Sequence, residues 1–253
     1  MTARVAIYAV PGLATQDAGA RLLRERAETW LGRSLGATVP DSAQGARPDA
    51  GLPDGFTRSA ADEITVNARR YGFHGTLKAP FVLAPDRTLD ELGRELDRFG
   101  AQNAPVAVTA LELVAMGGFF ALVAGQEAPE LRALADALVA GFDDFRAPAT
   151  AEQIARRNPE ALTPRQRELL ERWGYPFVFD EFRFHLTVTD RIRPADQPRV
   201  SSALAGWFAA SLGRTITLDA VALCTEAEPG APFALHSIHR LNPNVEPDPE
   251  GTR

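Results

Sequence analysis

The chain has 253 residues, of which 45% are hydrophobic and 24% are charged, as in an ordinary soluble globular protein. A formal net charge of −6 argues against a non-specific nucleic-acid binder, which usually carries a basic surface. Cys224 is the only cysteine, which excludes an internal disulfide and a cysteine-based metal cluster. We see neither a signal peptide nor an apolar run long enough for a membrane span, so we expect a cytoplasmic protein with no membrane partner.

Strict alternation of apolar and polar residues predicts strands, and a helical apolar period predicts amphipathic helices. The predicted elements, in chain order, are a strand at 4–10, a helix at 17–32, a strand at 71–83, a helix at 88–100, strands at 105–114 and 118–124, a helix at 129–145, a strand at 182–190, a helix at 195–212, and strands at 214–224 and 232–239.

These elements recur at a nearly constant offset, which is typical of an internal duplication. His185 lies 111 residues after His74, and each histidine stands within a predicted strand that follows a strand and a helix. The sequence therefore predicts an α+β fold of two pseudo-symmetric lobes. Each lobe would be an antiparallel sheet with helices on its outer face, and the open faces would form a central cleft.

We expect the whole chain, 1–253, to form one bilobal domain built around the strands 71–83 and 182–190. Two insertions fall outside the repeat. Residues 36–70 are rich in Pro, Gly, Asp and Ala, which predicts a long irregular loop. Residues 147–181 contain a helix that should start after Thr163 with a capping box and stop at Gly174. The tail, 242–253, should be flexible.

The two repeated strands sort their side chains in the same way. In "YGFHGTLKAPF" the apolar residues alternate with His74, Thr76 and Lys78, and in "FRFHLTVTDRIR" they alternate with Arg183, His185, Thr187, Thr189 and Arg191. Since successive side chains of a strand point to opposite faces, each polar row should lie on the open face of its sheet. A histidine and the threonine two residues later should be roughly 6–7 Å apart, too far for a direct hydrogen bond but suited to binding one phosphate between them.

These residue types fit the hydrolysis of a phosphodiester. In-line opening needs a base on the attacking water and an acid on the leaving oxygen, and His74 and His185 can supply both. The hydroxyls of Thr76 and Thr187 can donate to the non-bridging oxygens, where negative charge accumulates. Positive charge for phosphate binding would come from three more residues of these rows, Lys78, Arg183 and Arg191. Which histidine is the acid and which the base is left open.

The paired motifs "HGTL" and "HLTV", one in each half, resemble the two His-x-Thr motifs of the 2H phosphoesterase superfamily, which has the LigT-like fold. Three flanking stretches, "RRYGFHGTLKAPF", "RWGYPFVFDEFRFHLTVTDRI" and "ARRNPEALTPRQ", resemble the branch of that superfamily found with phosphonate-utilisation genes. The resemblance implies a small sugar cyclic phosphate as substrate, in particular a phosphorylated ribose cyclic phosphate from phosphonate breakdown. Tyr71, two residues outside the motif, is a candidate to line the cleft, and the alternative is that it caps the sheet.

A substrate with a second phosphate would explain the surplus of arginines near the second motif. We expect Arg156 and Arg157 to bind that phosphate, and Arg165 is a further candidate, because clustered cations repel one another unless an anion lies between them. Two other functions remain open. The chain could process RNA ends or 2′,3′-cyclic nucleotides, although its acidic character argues against a long nucleic acid, or it could bind a phosphate ligand without catalysis.

The sequence predicts no cofactor and no metal site. Its four histidines lack metal-ligand spacing, and the chain contains no Walker loop, no dinucleotide-binding glycine motif and no nucleophile elbow. His236 and His239 lack a threonine partner, so we do not place them at the reacting phosphate. The only partner that we infer is the small cyclic phosphate itself, and the sequence does not indicate an oligomeric state.

Overall fold

The computed structural model describes residues 4–36 and 51–245. Within them the chain forms nine strands and eight α-helices. The strands are β1 Arg4–Ala9, β2 Gly75–Val82, β3 Val106–Val108, β4 Glu112–Met116, β5 Phe119–Val123, β6 Leu186–Thr187, β7 Ile216–Leu218, β8 Ala220–Glu226 and β9 Ala234–Arg240. The helices are α1 Ala18–Leu31, α2 Arg58–Glu63, α3 Val66–Tyr71, α4 Leu89–Gln102, α5 Pro129–Gly141, α6 Ala151–Ala155, α7 Pro164–Trp173 and α8 Gln197–Phe208.

Local sequence signals fix several helix ends. The Asp17 carboxylate accepts hydrogen bonds from the first turn of α1, and Thr88 and Glu91 form a reciprocal capping box at the start of α4. The prediction for α7 is confirmed: Thr163 forms a capping box, and Gly174 ends the helix in the left-handed conformation.

Seven strands form one antiparallel sheet in the order β4-β5-β6-β2-β1-β8-β9, and β3 pairs with β7 in a separate ribbon. The predicted α+β class with antiparallel sheets and helices is therefore confirmed. The structure adds that the sheets of the two lobes join edge to edge, through a single bridge between Gly75 of β2 and Leu186 of β6. None of the described helices is both long enough and apolar enough to span a membrane.

The topology is that of two interlocked repeats. The first repeat runs β1-α1-β2-α4-β3-β4, and the second runs β5-α5-β6-α8-β7-β8. Equivalent strands meet at the pseudo-twofold axis, β2 beside β6 and β3 beside β7. The last strand of each repeat crosses over, so that β4 pairs with β5 and β8 pairs with β1.

The main hydrophobic core lies between the helices and one face of the sheet. It includes Leu23 and Trp30 of α1. The indole N–H of Trp30 donates to the Val188 carbonyl at 2.7 Å. Gly75 is required at the centre of the sheet, because a Cβ there would lie 2.3 Å from the ring of Phe184. A smaller cluster around Tyr8, Cys224 and Phe233 covers part of the opposite face, which we call the open face.

Five predicted elements differ from the structure. The strands predicted at 105–114 and 214–224 are each divided in two, the first into β3 and β4 and the second into β7 and β8. The described part of the 36–70 insertion contains the helices α2 and α3, and Tyr71 ends α3 instead of starting a strand. The strand predicted at 182–190 is reduced to two residues, since Val188 and Thr189 share the Phe120 carbonyl as hydrogen-bond acceptor. The helix predicted at 129–145 ends at Gly141. Residues 37–50 of the predicted loop and 246–253 of the predicted flexible tail lie outside the described residues.

Candidate active site

The two His-x-Thr motifs meet where β2 and β6 pair. Gly75 lies opposite Leu186, so extending the antiparallel register by one residue places His74 opposite Thr187 and Thr76 opposite His185. Directly opposed Cβ atoms are about 4.5–5.5 Å apart, and diagonal ones about 7–8 Å. The four side chains thus mark the corners of a quadrilateral, with the histidines on one diagonal and the threonines on the other.

Both imidazoles are oriented by the same backbone contact. His74 Nδ1 lies 2.9 Å from the Gly72 carbonyl, and His185 Nδ1 lies 2.8 Å from the Arg183 carbonyl. A carbonyl only accepts, so each Nδ1 carries the proton and each Nε2 is left for chemistry. Gly72 reaches this geometry with φ of 75°, a conformation that favours glycine.

The expected separation within the first motif is wrong. His74 Nε2 and Thr76 Oγ1 are 3.1 Å apart, within hydrogen-bond distance. The prediction considered only the spacing of the Cα atoms along the strand. The two side chains lean towards each other, so their polar atoms are much closer than their Cα atoms. With Nδ1 protonated, the Thr76 hydroxyl donates to Nε2 of the neutral imidazole.

His74 is the more enclosed of the two histidines. The ring of Tyr8, on the neighbouring strand β1, lies 3.8 Å from the imidazole centroid to centroid, and the ring of Tyr71 lies at 6.1 Å. Burial lowers the pKa of His74 to about 4, the hydrogen bond to the Gly72 carbonyl opposes this change, and the positive charges of His185 and Arg33 add to it. His74 is therefore neutral at physiological pH.

His185 is half-buried and has a different neighbour. Its ring lies 5.9 Å from that of Phe119, at the start of β5. Arg183, two residues earlier, is exposed and contributes its backbone carbonyl to the imidazole. Arg191 is also exposed, and its guanidinium donates to the Gly117 carbonyl in the β4–β5 turn.

The prediction that Lys78 shares the polar face with the histidines is wrong. Tyr8 pairs with Thr76 but Ile7 pairs with Lys78, so the extra residue Leu77 forms a bulge that turns Lys78 towards the helices. Its side chain is 4% exposed, and its ammonium donates to the Val139 carbonyl of α5 at 2.9 Å and lies 3.6 Å from Asp143. Burial lowers the pKa of Lys78 to about 8, and Asp143 opposes this change.

The arginines expected to bind a second phosphate have different surroundings. Arg156 is exposed and pairs with Glu152 one turn earlier in α6, and Arg165 is exposed and pairs with Asp180 and Glu168. Arg157 instead lies over the ring of Tyr175, 4.9 Å from its centroid. We therefore leave Arg156 out of the candidate site, and phosphate binding by Arg157 stays a prediction.

Sequence analysis missed three residues that hold the site together. Nothing in the sequence around Tyr8 indicates a role in the site beyond its position in a strand. Its ring contacts His74 only because β1 pairs with β2. The guanidinium of Arg33 donates to the carbonyls of residues 69, 70 and 233, and so ties the end of α3 to the segment before β9. The Asp190 carboxylate accepts from the N–H groups of Asn67 and Ala68, at the start of α3.

The remaining histidines lie on β9. His239 Nδ1 is 2.7 Å from Asp97 of α4 and its Nε2 is 2.8 Å from Ser237, whereas His236 is exposed. Among residues 4–36 and 51–245, no group of three or more His, Cys, Asp or Glu side chains could hold a metal ion.

Comparison with solved structures finds similar chains of low sequence identity. A structure described as a phosphoesterase covers 94% of this chain and 98% of its own, with 15% identity and a TM-score of 0.41. LigT from E. coli, complexed with NADP+, covers 95% of this chain and 98% of its own, with 14% identity and a TM-score of 0.39.

Comparison with curated proteins finds two longer relatives, both named ribose 1,5-bisphosphate phosphokinase PhnN. The protein from Janthinobacterium sp. (strain Marseille) is 34% identical over 209 residues, which are 81% of this chain and 45% of that protein. The protein from Laribacter hongkongensis (strain HLHK9) is 32% identical over 241 residues, which are 92% of this chain and 50% of that protein. The chain thus spans about half the length of these relatives. Residues 76–234 match the family described as "Protein of unknown function (DUF1045)", and the chain belongs to that family.

Proposed function

We propose that the chain is a 2H-type cyclic phosphodiesterase that needs no metal ion. The observation that carries this proposal is the arrangement of His74, Thr76, His185 and Thr187 around the β2–β6 junction. The two imidazoles lie on a diagonal, with equivalent Nδ1–carbonyl hydrogen bonds. A phosphorus atom between them would have one Nε2 on the side of the attacking water and the other on the side of the leaving oxygen.

We assign the base to His74, because its low pKa leaves a lone pair on Nε2 at neutral pH. His74 takes a proton from water as the water oxygen bonds to phosphorus. The bond from phosphorus to one ester oxygen of the cyclic phosphate breaks, and His185 donates a proton to that oxygen. The product is a phosphate monoester beside a free hydroxyl, and the next turnover begins after His74 has released its proton and His185 has regained one.

The threonines stabilise the charge that develops on the non-bridging oxygens. Thr76 donates to His74 Nε2 in the free protein. A bound phosphate would accept the hydrogen bond from this hydroxyl instead, which would leave the lone pair of Nε2 free to accept a proton from water. Thr187 lies opposite His74 across the β2–β6 pairing, and its hydroxyl would donate to a second non-bridging oxygen. Arg33 adds positive charge at His74, and Arg183, two residues before His185, is a further source of positive charge.

For the substrate we propose a ribose cyclic phosphate that carries a further phosphate. The relatives are named for a kinase that acts on ribose 1,5-bisphosphate, and this chain matches only half of their length. Opening a cyclic diester between O1 and O2 of a 5-phosphorylated ribose at the O2 side yields ribose 1,5-bisphosphate. The phosphodiesterase would then supply the compound that those relatives are named for.

We do not extend the kinase name to this chain. A Walker loop needs a lysine after its glycines, to reach the nucleotide phosphates. Lys78 is the only lysine in the 253 residues, and it is buried beneath α5 in the sequence "GTLKAP". We infer that the kinase activity belongs to the part of the relatives that this chain does not match.

The test is turnover by His74→Ala and His185→Ala on a 5-phosphorylated ribose cyclic phosphate, with a 2′,3′-cyclic nucleotide in parallel. Each variant should lose about 10²–10⁴-fold in kcat, the usual contribution of a positioned acid or base. His236→Ala is the matched control, since that exposed histidine lies outside the quadrilateral and should leave the rate unchanged. Preference for the nucleotide would favour RNA-end processing, and binding without turnover of either compound would favour a ligand-binding protein.

A further inference from the structure

The short helix α3 immediately precedes the first motif and sets the orientation of its histidine. α3 has six residues and is followed by Gly72, whose N–H donates to the Ala68 and Arg69 carbonyls of the helix. The Gly72 carbonyl in turn accepts from Nδ1 of His74 at 2.9 Å. A movement of the end of α3 would therefore move the group that determines which nitrogen of His74 carries the proton.

α3 lacks the local signals that would hold it in place. A helix this short is not stable in isolation, because its few hydrogen bonds do not offset the cost of nucleation. Thr65 occupies the N-cap position without a side-chain capping hydrogen bond, and its hydroxyl donates to the Ala61 carbonyl of α2 instead. The N–H groups of the first turn therefore need an acceptor from another part of the chain.

That acceptor is Asp190, which lies three residues after Thr187 in the second repeat. Its carboxylate accepts from the backbone N–H groups of Asn67 and Ala68, each at 2.9 Å, and from the Asn67 side-chain amide at 3.2 Å. The Asp190 N–H donates to the Ile64 carbonyl at 2.7 Å, which holds the segment before α3. A negative charge at this end of a helix also interacts favourably with the helix dipole.

The position of Asp190 is fixed by the two residues before it. The N–H groups of Val188 and Thr189 both donate to the Phe120 carbonyl of β5, and the Thr189 hydroxyl accepts from the Phe120 N–H at 2.8 Å. The Val188 carbonyl accepts from the indole of Trp30. Val188 and Thr189 are both buried, so Asp190 follows a firmly held part of the second repeat.

We propose that Asp190 is a positioning residue for His74: it caps α3, α3 carries the Gly72 carbonyl, and that carbonyl keeps the proton on Nδ1. The inference rests on the proposed function, in which the base needs a lone pair on Nε2. Without the cap, α3 would fray and the Gly72 carbonyl would lose its fixed place. The imidazole could then carry its proton on Nε2, where it cannot accept one from water. His185 does not depend on this helix, because its Nδ1 donates to the Arg183 carbonyl.

The test is the tautomer of each histidine in the free protein, measured by nitrogen NMR of isotope-labelled histidine at neutral pH. In the wild type we expect the proton on Nδ1 of both His74 and His185, with spectra of His74→Ala and His185→Ala to assign the signals. In Asp190→Ala, His74 should gain a population protonated on Nε2, while His185 stays unchanged as the internal reference. Arg33 still binds the carbonyls at the end of α3, so this variant should fold.

Thr88→Ala is the matched control, because Thr88 caps α4, which packs against β8 and β9. It should lose stability without a change in either tautomer. On a cyclic phosphate that the wild type hydrolyses, Asp190→Ala should lose about tenfold in kcat, with KM changed by less than about threefold, because the tautomer of the base affects the chemical step. Asp190→Asn keeps one acceptor oxygen, so it should show a smaller change in both the tautomer and kcat.

A wild-type tautomer at His74 in folded Asp190→Ala overturns the inference, and so does an equal change of tautomer in Thr88→Ala. If Asp190→Ala does not fold, a wild-type tautomer and kcat in Asp190→Asn overturn it instead. The tautomers are measured without substrate, so they do not depend on whether the chain hydrolyses a cyclic phosphate. Absence of turnover by the wild type would overturn the proposed function and leave the role of Asp190 in orienting His74 standing.

Discussion

Replacing Lys78 by methionine tests both the placement of its ammonium and the correction to its role. Methionine has a similar length and no charge, so it fills the same space beneath α5. In the wild type the Lys78 side chain is 4% exposed, and its ammonium contacts the Val139 carbonyl and Asp143. In the variant Asp143 keeps Arg146, which donates to it at 2.8 Å, so no carboxylate is left without a cation.

The magnitude follows from proton linkage. Burial lowers the pKa of Lys78 from 10.5 to about 8, a difference worth about 3 kcal/mol at about 1.4 kcal/mol per tenfold change in proton affinity. Between pH 8 and 10.5 the unfolded chain holds this proton and the folded chain does not, so the free energy of unfolding should rise with pH across that window. Below pH 8 Lys78 is charged in both the folded and the unfolded state, and the folded state carries the full cost of burying the ammonium.

The assay is denaturant unfolding of the wild type and Lys78→Met at pH 7 and pH 10, with activity measured on the same samples. The stability of the wild type relative to the variant should increase by about 2–3 kcal/mol between the two pH values, since other titrating groups cancel in the difference. Turnover should change by less than about threefold. A constant stability difference would refute the burial argument, and a tenfold loss of kcat/KM in a folded variant would return Lys78 to the substrate site.

Three further predictions concern the pH profile, metal ions and the thiol. Because His74 must be neutral to act as the base, kcat/KM should stay high as the pH is lowered to about 4 and fall below it, and an acid-side limb near pH 6.5 would contradict the assignment. Prolonged chelation should leave turnover intact, whereas loss with rescue by one divalent ion would require a metal. Burial raises the pKa of Cys224 to about 12, so a thiol reagent at pH 8 should label nothing in the folded chain and one thiol after denaturation.

The sequence predicted the parts of the fold that depend on local patterns. The helix caps at Thr163 and Gly174, the duplication and the two His-x-Thr strands can all be read from neighbouring residues. Lys78 was misplaced because a bulge at Leu77 depends on the partner strand, and the alternation of the sequence continues through it without a break.

The surroundings of the histidines could not be predicted, because they come from distant parts of the chain. Tyr8 reaches His74 across the β1–β2 pairing, and Arg33 and Asp190 stabilise α3 from other elements. The sequence also could not show which of the adjacent residues Arg156 and Arg157 is the better candidate for phosphate binding. The difference is in their neighbours, since Arg156 pairs with a carboxylate and Arg157 lies over an aromatic ring.

The exchange of last strands between the repeats has a consequence for how the active site forms. Residues 4–117 alone would leave β1 without β8, and the remainder would leave β5 without β4, so neither half could complete its own sheet. The bridge between Gly75 and Leu186 joins positions far apart in sequence, and such contacts form late because the intervening chain must first be ordered. His74 and His185 therefore meet only once both halves have folded. We expect a partly synthesised or truncated chain that holds one intact motif to lack the proposed activity.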